Sequence, residues 1–359
     1  MVKNIGKENQ HEDVYGKSFA LYDHDAMKEF INFFDQRFEI NGLDPASIFA
    51  GKKCLDAGCG NGRGALFMLA NGASSVDCVD ISQTNIDSTS RNIDQFGFGN
   101  YSCHLNSLES LPFPDNTFDF VWCNGVVMHT HNPDKCISEL SRVLKNGGKA
   151  WIYVYGSGGL YWYCVQRFRK ITKDIAPNFC ISVLRLLGYS SRYVGEYLDD
   201  WKVPYLRTYT QTDFSSRMKK LGFKEPNPLL FGVSFDTSHR RNKYPEDAIY
   251  VGEGDLRYLT EKDSQAVSVT DSHQISSSEY GSDYDFPKAL VEKFSPSLDR
   301  LEKAIVFNGG DSRFFALAAC SRIQFNLRNL MTEERAFPVE EVAKVIVETC
   351  ELLEGLKDL

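Results

Sequence analysis

Three elements of local structure follow one another in the stretch Cys54-Leu55-Asp56-Ala57-Gly58-Cys59-Gly60-Asn61-Gly62-Arg63-Gly64. It begins as a short apolar strand, continues through four glycines at alternate positions and leads into residues 65–70, which favour a helix. Alternating glycines let the backbone turn sharply off a strand and approach a ligand closely, and the helix that follows presents unpaired N–H groups to that ligand. The pattern predicts a loop that binds a nucleotide cofactor.

Two acids beside this loop narrow the choice of cofactor. Asp56 stands two residues before the first glycine, where a loop that grips a pyrophosphate gains nothing from a second negative charge. Asp80 ends a second apolar segment, residues 75–80, and is placed to accept hydrogen bonds from both hydroxyls of a ribose. An acid near the loop suits a ligand with a cationic end, such as S-adenosylmethionine. Because nicotinamide enzymes also carry the ribose acid, a nicotinamide-dependent dehydrogenase stays open as an alternative.

Four motifs in order and at intact spacing resemble those of class I S-adenosylmethionine-dependent methyltransferases. They are LDAGCGNGRG, VDIS, LPFPDNTFDFVWCNGVVMHTHNP and ELSRVLKNGGKAWIYVYG, within about residues 50–156. The chain is similar to the ubiquinone/menaquinone C-methyltransferase-like branch, the type 11 methyltransferases, and residues 208–225 resemble that family's late helix and sixth strand. The resemblance implies S-adenosyl-L-methionine as cofactor and a Rossmann-like, seven-stranded, mostly parallel sheet.

Alternating strand and helix patterns also predict an α/β fold with helices on both faces of a parallel sheet. We expect strands near residues 52–56, 75–80, 101–104, 118–123 and 149–155, and two more near 223–231 and 247–252. The predicted segments are N-terminal helices in 1–50, the S-adenosylmethionine-binding core in 51–156, a helical cap insertion in 157–206, the end of the core in 207–253, a flexible linker in 254–287 and a C-terminal helical appendage in 288–359. The appendage packs within one chain or forms a homodimer; both stay open.

Eight residues are the predicted cofactor contacts: Asp56, Gly58, Gly60, Asp80, Ile81, Ser107, Leu108 and Asn124. Ile81 is expected against the adenine. The family pattern has an Asp that accepts from the adenine amino group, and Ser107 stands at that position here, so a Ser hydroxyl or the Asn106 amide would accept without the strength of a charged acceptor. Leu108 would donate its backbone N–H to the base, and Asn124 would lie beneath the methionine half.

Catalysis is assigned to a histidine that follows the predicted fourth strand, in Val127-Met128-His129-Thr130-His131-Asn132-Pro133. We predict that His129 is the catalytic residue, because a neutral imidazole can take a proton from the nucleophile. The alternative is that His129 packs near the entrance of the substrate pocket, because the activated sulfonium can transfer its methyl group when the substrate is only positioned correctly. We expect no metal site, because the His-x-His pair has no acidic ligands nearby.

Composition bears on the partners and the compartment. The 359 residues carry a formal net charge of −8, which argues against a nucleic-acid substrate. The polar start has no signal-peptide core and no apolar stretch approaches the length of a membrane span. The 10 cysteines contain no Cys-x-x-Cys pair and suggest reduced core thiols, so a cytoplasmic location is expected.

The predicted function is transfer of a methyl group to an O, N or C nucleophile of a small or medium metabolite. Two basic clusters, Arg167, Arg169 and Lys170 with Arg240, Arg241 and Lys243, would recognise an anionic substrate or are ordinary solvated faces. Methylation of RNA such as tRNA, methylation of protein, and binding of S-adenosylmethionine without catalysis are the alternatives.

Overall fold

The computed structural model describes residues 14–16, 19, 22, 24–264, 288–307, 310–336 and 339–355. These residues form two compact units. Unit 1 draws on Met1–Gly156, Pro204–Val233 and Asp255–Ser282, and unit 2 on Ser157–Val203, Ser234–Gly254 and Asp283–Leu359. Within the described ranges, no helix is both long and apolar enough to cross a membrane.

One sheet of seven strands organises unit 1. The strands are β1 Lys53–Ala57, β2 Ser75–Asp80, β3 Tyr101–Leu105, β4 Phe118–Asn124, β5 Leu144–Tyr155, β6 Asn227–Pro228 and β7 Asp255–Glu261. Their spatial order is β3-β2-β1-β4-β5-β7-β6, with β1 to β5 parallel and β7 antiparallel to both of its neighbours. This confirms the predicted α/β class with a seven-stranded, mostly parallel sheet. The order reverses between β1 and β4, and ligands bind such sheets beyond the carboxyl ends of the strands at this point.

Fourteen α-helices are described along the chain. They are α1 His24–Ile40, α2 Pro45–Phe49, α3 Arg63–Ala70, α4 Gln83–Gln95, α5 Pro133–Val143, α6 Gly159–Thr172, α7 Pro177–Leu186, α8 Ser191–Lys202, α9 Gln211–Lys220, α10 Thr237–Lys243, α11 Ala248–Val251, α12 Lys288–Phe307, α13 Gly310–Thr332 and α14 Val339–Gly355. A short 3-10 turn, Val127–His129, follows β4, and another, Pro245–Asp247, precedes α11.

Alternation along the central strands buries both faces of the sheet. On β4, Phe120 and Trp122 belong to a core that also contains buried side chains of α1, α3 and α4. Val121 and Cys123 belong to a second core, which contains buried side chains of α5 and α9. Since successive side chains of a strand point to opposite faces, these two cores lie on opposite sides of the sheet. Helices therefore cover both faces.

Two predictions about the last strands are corrected by the structure. The strand predicted at 247–252 is wrong, because α11 occupies Ala248–Val251 and the seventh strand is Asp255–Glu261, inside the predicted linker. Leu256, Tyr258 and Thr260 alternate along that strand and are all buried. The Ser- and Asp-rich composition of residues 265–287 led us to begin the linker too early, and those residues lie outside the described ranges. Of the strand predicted at 223–231, only Asn227–Pro228 is a strand.

Unit 2 contains a buried polar cluster that joins the predicted insertion to the C-terminal helices. Tyr161 of α6 donates its hydroxyl to Asp200 Oδ2 of α8 at 2.5 Å. Gln324 and Arg328 of α13 donate to the same oxygen at 2.6 and 3.4 Å, and Arg328 also binds Glu196 of α8 at 2.6 Å. Three helices from distant parts of the sequence therefore share one carboxylate. The predicted domain boundaries, and the role of residues 157–206 as a cap, stay predictions.

Candidate active site

The glycine loop after β1 is shaped by close approaches that exclude side chains. Gly58 has a φ of +80°, and a Cβ built on it would lie 2.5 Å from Val126. A Cβ on Gly64 would lie 2.6 Å from the Trp122 ring. The N–H groups of Gly58 and Cys59 both donate to the Val79 carbonyl, at 2.8 and 3.0 Å, which ties the loop to β2. Side chains at Gly58 and Gly64 would therefore collide with the protein itself, so glycine at these positions fixes the turn.

Asp56 connects the glycine loop to the helix that follows it. Its carboxylate accepts a hydrogen bond from the Ala65 N–H, in the first turn of α3, at 2.7 Å. Burial raises the pKa of Asp56 to about 7, and the hydrogen bond from Ala65 opposes that rise. Asp56 does not appear among the described residues that line the adjoining cavity. Its visible role is to fix the loop to the helix, and direct contact with the cofactor stays a prediction.

Asp80 lies at the carboxyl end of β2 with its carboxylate already engaged. One oxygen accepts from the Gly60 N–H at 2.9 Å, and the other accepts from the Ser82 N–H at 2.9 Å and from Asn85 Nδ2 at 3.1 Å. Burial raises the pKa of Asp80 above its usual range, while these hydrogen bonds act in the opposite direction. Asp80 therefore connects the glycine loop, the end of β2 and the start of α4.

A cavity of about 180 Å³ opens at this edge of the sheet, entirely within unit 1. That is more than ten times the space that one water molecule needs. Eight of the nine predicted site residues line it: Gly58, Gly60, Asp80, Ile81, Ser107, Leu108, Asn124 and His129. The cavity lies where the strand order reverses, as expected for the ligand site of an open α/β sheet.

The residues predicted to contact the adenine and the methionine part of the cofactor differ in their exposure and in the hydrogen bonds that they already make within the protein. Ile81 is 44% exposed, which is unusual for a large aliphatic side chain and leaves its surface available to a flat ring. The Ser107 hydroxyl accepts from the Glu109 N–H at 3.2 Å, and Asn106 Oδ1 accepts from the Ser107 N–H at 2.8 Å. Asn124 Oδ1 accepts from the Trp151 indole at 3.0 Å, so this amide is oriented by the sheet.

His129 ends the 3-10 turn after β4 and is 2% exposed. Its Nδ1 lies 3.0 Å from the carbonyl oxygen of Tyr205. Because a carbonyl can only accept, Nδ1 carries the hydrogen, and in the neutral ring Nε2 is the acceptor nitrogen. The rings of Tyr15 and Tyr155 meet the imidazole edge-on, with centroids 5.7 and 5.4 Å away. The imidazole is therefore held in one orientation and one tautomer.

The turn that carries His129 is attached to the segment before α9. The Arg207 N–H donates to the Met128 carbonyl at 3.2 Å. The Arg207 guanidinium donates to the carbonyl oxygens of Thr130 and His131 at 2.5 and 3.2 Å. These bonds hold Tyr205 beside His129, and no sequence signal indicated that pairing, because 76 residues separate the two.

The cavity is also lined by residues that the sequence motifs did not indicate, among them Tyr15, Phe19, Arg63, Asn85 and Tyr205. Of the described residues lining it, Arg63 is the one Arg or Lys, and its guanidinium lies 5.2 Å from the Phe19 ring centre. The position of Arg63 directly after Gly62 was a usable signal, as was the position of Asn85 one turn into the helix that follows Asp80. No group of three potential metal ligands occurs in the part of the chain that the structure describes.

The two basic clusters lie in unit 2, and four of their six cations are paired with acids there. Arg167 binds Glu302 at 2.9 Å, Arg240 binds Asp247 at 2.8 Å, Arg241 binds Glu253 at 2.6 Å and Lys243 binds Glu334 at 3.3 Å. A cation that is paired with a neighbouring carboxylate contributes little net charge for attracting an anion. None of the six cations lines the cavity of unit 1, so the prediction of an anionic substrate stays a prediction.

A family model described as a methyltransferase domain matches residues 55–152. That stretch contains the glycine loop, Asp80, Asn124 and His129, the same residues that surround the cavity. Residues 55–152 are therefore a methyltransferase domain of the class I S-adenosylmethionine-dependent kind. The matching domain is of the type 11 branch, so the resemblance drawn from the four motifs is confirmed, and S-adenosylmethionine is the cofactor of this methyltransferase domain.

Three curated relatives illustrate the range of the family. The chain is 35% identical over 100 residues to the sarcosine/dimethylglycine N-methyltransferase of Aphanothece halophytica, covering 28% of this chain and 36% of that one. It is 25% identical over 240 residues to the ubiquinone/menaquinone biosynthesis C-methyltransferase of Geobacter sulfurreducens, covering 65% and 85%. It is 30% identical over 176 residues to the tRNA U34 carboxymethyltransferase of Campylobacter concisus, covering 45% and 56%. The chain thus spans about a third of the first relative and about half of the third.

Proposed function

We propose that this methyltransferase transfers the methyl group of S-adenosylmethionine to an O, N or C nucleophile of a small or medium-sized metabolite in the cytoplasm. The observation that carries the proposal is that one cavity of unit 1 is lined both by Asp80 and the glycine loop and by Asn124 and His129. The ribose end and the reacting end of the cofactor would therefore lie in one continuous space. The ten cysteines, all free thiols, support a reducing compartment.

The residues at the loop fit the cofactor. Gly58, Gly60 and Arg63 of the loop line the cavity, so the backbone and one cation of the loop face the space that the ligand chain would occupy. S-adenosylmethionine carries a carboxylate, an ammonium and a sulfonium, and when bound it supplies a methyl group already activated for transfer. We assign its carboxylate to Arg63, since a guanidinium recognises a carboxylate bidentately and no second Arg or Lys occurs among the described lining residues.

His129 would accept the proton that an O or N nucleophile releases. Its Nδ1 donates to the Tyr205 carbonyl, so the neutral ring offers Nε2 as the acceptor. Orientation by a second hydrogen bond is the usual way in which proteins fix the tautomer of a working histidine. Tyr15 and Phe19 add aromatic walls that exclude water and position an organic substrate.

A metabolite is a better substrate than a nucleic acid for this cavity. The formal net charge is −8, and Arg63 is the one Arg or Lys among the described residues that line the cavity. Nucleic-acid binding draws most of its affinity from many Lys and Arg contacts to phosphates. RNA is still tested as an acceptor in the labelling experiment below, because a tRNA-modifying enzyme is among the relatives.

Replacing Asp80 with Ala is expected to weaken S-adenosylhomocysteine binding by about 1–3 kcal/mol, because a buried acceptor of ribose hydroxyls is lost. Isothermal titration calorimetry measures this directly. Asp87→Ala is the matched control, since Asp87 is an exposed acid on the same helix as Asn85 and should leave affinity unchanged. Equal affinity of the wild type and Asp80→Ala would remove Asp80 from the site.

Methyl transfer itself is tested with S-adenosylmethionine labelled in the methyl group and a cell extract separated into small-molecule, RNA and protein fractions. The proposal expects enzyme-dependent label in the small-molecule fraction. Label in RNA or protein alone would contradict the proposed substrate class. Absence of label from all three fractions, with cofactor binding intact, would instead favour a binding protein without catalysis.

A further inference from the structure

The outer face of α7, in unit 2, is apolar and open to solvent. Phe179, Leu186 and Leu187 are exposed there, and Leu186 is 77% exposed. Eight large apolar side chains are exposed in the part of the chain that the structure describes, and these three lie within one stretch of nine residues. Single exposed apolar side chains are common on protein surfaces, whereas a group of them marks a surface that binds a partner.

The exposed apolar side chains belong to an ordered helix. α7 packs against α8 and α13, and three side chains of its inner face are buried: Cys180, Val183 and Leu184. Two hydrogen bonds close its C-terminal end. The Gly188 N–H donates to the Arg185 carbonyl at 3.0 Å, and the Tyr189 N–H donates to the Leu184 carbonyl at 3.1 Å. The inner face therefore fixes which side chains point outward.

Cations flank this outer face. Residues 166–193 contain six Arg and Lys residues and one acid, Asp174, in a chain of 40 basic and 48 acidic residues. Lys170 and Lys173 are exposed just before α7 begins, and Arg185 is exposed in its last turn. None of these three cations has an acidic partner within the described ranges. The other three cations of the segment are hydrogen-bonded within the protein: Arg167, Arg169 and Arg192.

An apolar surface flanked by unpaired cations is complementary to an anionic lipid surface. Phe and Leu side chains enter the boundary between headgroups and acyl chains, while Lys and Arg keep their charges at the level of the lipid phosphates. A second copy of this chain is a poorer partner. A two-fold contact joins the same patch of both copies, so it would bring the unpaired cations of one copy towards those of the other.

We propose that the outer face of α7 binds the surface of an anionic lipid membrane. Its three exposed apolar side chains enter the boundary between headgroups and acyl chains, and Lys170, Lys173 and Arg185 bind lipid phosphates. The contact is peripheral and reversible, because three side chains bury far less apolar area than a membrane-spanning helix does. The proposal does not depend on the methyl acceptor, since the cofactor cavity belongs to unit 1 and this face belongs to unit 2.

Co-sedimentation of the full chain with lipid vesicles tests this binding. The wild type should bind vesicles of phosphatidylcholine and phosphatidylglycerol in equal parts at least about tenfold more tightly than vesicles of phosphatidylcholine alone, and added salt should weaken that binding. Leu186→Ser should weaken it by about tenfold, because one apolar side chain is no longer transferred from water. Leu230→Ser is the control, since it changes a leucine of unit 1 that is 45% exposed, and it should bind as the wild type does.

The contribution of charge is measured with two matched double variants. Lys170→Gln combined with Lys173→Gln should lower the affinity for the anionic vesicles by about 25-fold, which is about fivefold for each cation. Lys219→Gln combined with Lys220→Gln removes two exposed lysines of α9, in unit 1, and should keep the affinity within about twofold of the wild type. Thermal melting checks that each variant is folded.

Two results would overturn the proposal. Equal affinity of the α7 variants and their controls would show that the vesicles attract the chain without using this face. Absence of wild-type binding to the anionic vesicles at low salt would exclude a lipid surface as the partner. If analytical ultracentrifugation then finds the wild type as a dimer and Leu186→Ser as a monomer, the face is a contact between two copies of the chain.

Discussion

Replacing His129 with Ala is expected to lower turnover by about 100-fold while leaving S-adenosylhomocysteine affinity within about twofold of the wild type. The substitution removes the nitrogen that would accept the proton, and it leaves untouched the loop and Asp80, which we propose hold the cofactor. Steady-state methyl transfer to the acceptor found in the labelling experiment, together with calorimetry, measures both quantities. Turnover should also fall on acidification, because a protonated imidazole has no lone pair with which to accept a proton.

His129→Asn is the control that separates chemistry from packing. The Asn side chain places an amide N–H near the position of Nδ1 and can still donate to the Tyr205 carbonyl, whereas no base replaces Nε2. If His129 is the base, the turnover of both variants should fall by about the same factor. Restoration of activity by His129→Asn, or a loss under about threefold in His129→Ala, would make His129 a packing residue and leave catalysis to positioning alone.

Arg328→Ala should destabilise unit 2 by about 3 kcal/mol at neutral pH, because it leaves a buried carboxylate without its cation. Asp200 is 3% exposed and Arg328 contacts both Asp200 and Glu196. Urea unfolding followed by circular dichroism reports the free energy of unfolding. Arg185→Ala provides the control, since Arg185 is an exposed arginine of the same unit.

The loss should depend on pH in a defined direction. Burial raises the pKa of Asp200 from 3.8 to about 6, and the charge of Arg328 acts to lower it. A folded-state pKa above the unfolded value means that the contribution of this carboxyl to stability is full at low pH and is lost as the pH rises through the folded pKa. Without Arg328 the pKa rises further. The deficit of Arg328→Ala should therefore be larger at pH 8 than at pH 5.

Replacing the Asp200 carboxylate with a neutral amide should then restore part of the lost free energy of unfolding. Asp200→Asn on the Arg328→Ala background removes the uncompensated charge and should recover stability at pH 8 more than at pH 5. A deficit that is the same at both pH values, with no gain from the second substitution, would show that Arg328 stabilises unit 2 by packing of its side chain and not by its charge.

Much of unit 1 was predictable because its signals are local. A strand followed by alternating glycines determines a turn whose position can be read directly, and the apolar segment ending in Asp80 locates the neighbouring strand. The parallel edge then brings Asp80, Asn124 and His129 together, since the carboxyl ends of β1, β2 and β4 share one side of the sheet. This is why eight of the nine predicted site residues line one cavity.

The missed features depend on contacts between distant residues. The strand Asp255–Glu261 is held by its pairing with β5 and β6, and the polar sequence that follows obscured its alternation. The tautomer of His129 is fixed by the carbonyl of Tyr205, and a backbone carbonyl leaves no trace in the sequence. Likewise, the sequence around Arg167 and Lys243 gave no sign that Glu302 and Glu334, about 90 or more residues away, would pair with them.

Titration of the purified wild-type protein with S-adenosylhomocysteine, with NADH titrated in parallel, tests the central claim that the cavity beyond the glycine loop holds S-adenosylmethionine. We expect saturable binding of one S-adenosylhomocysteine per chain at or below hundreds of micromolar, and no binding of NADH. Binding of NADH without binding of S-adenosylhomocysteine would contradict it.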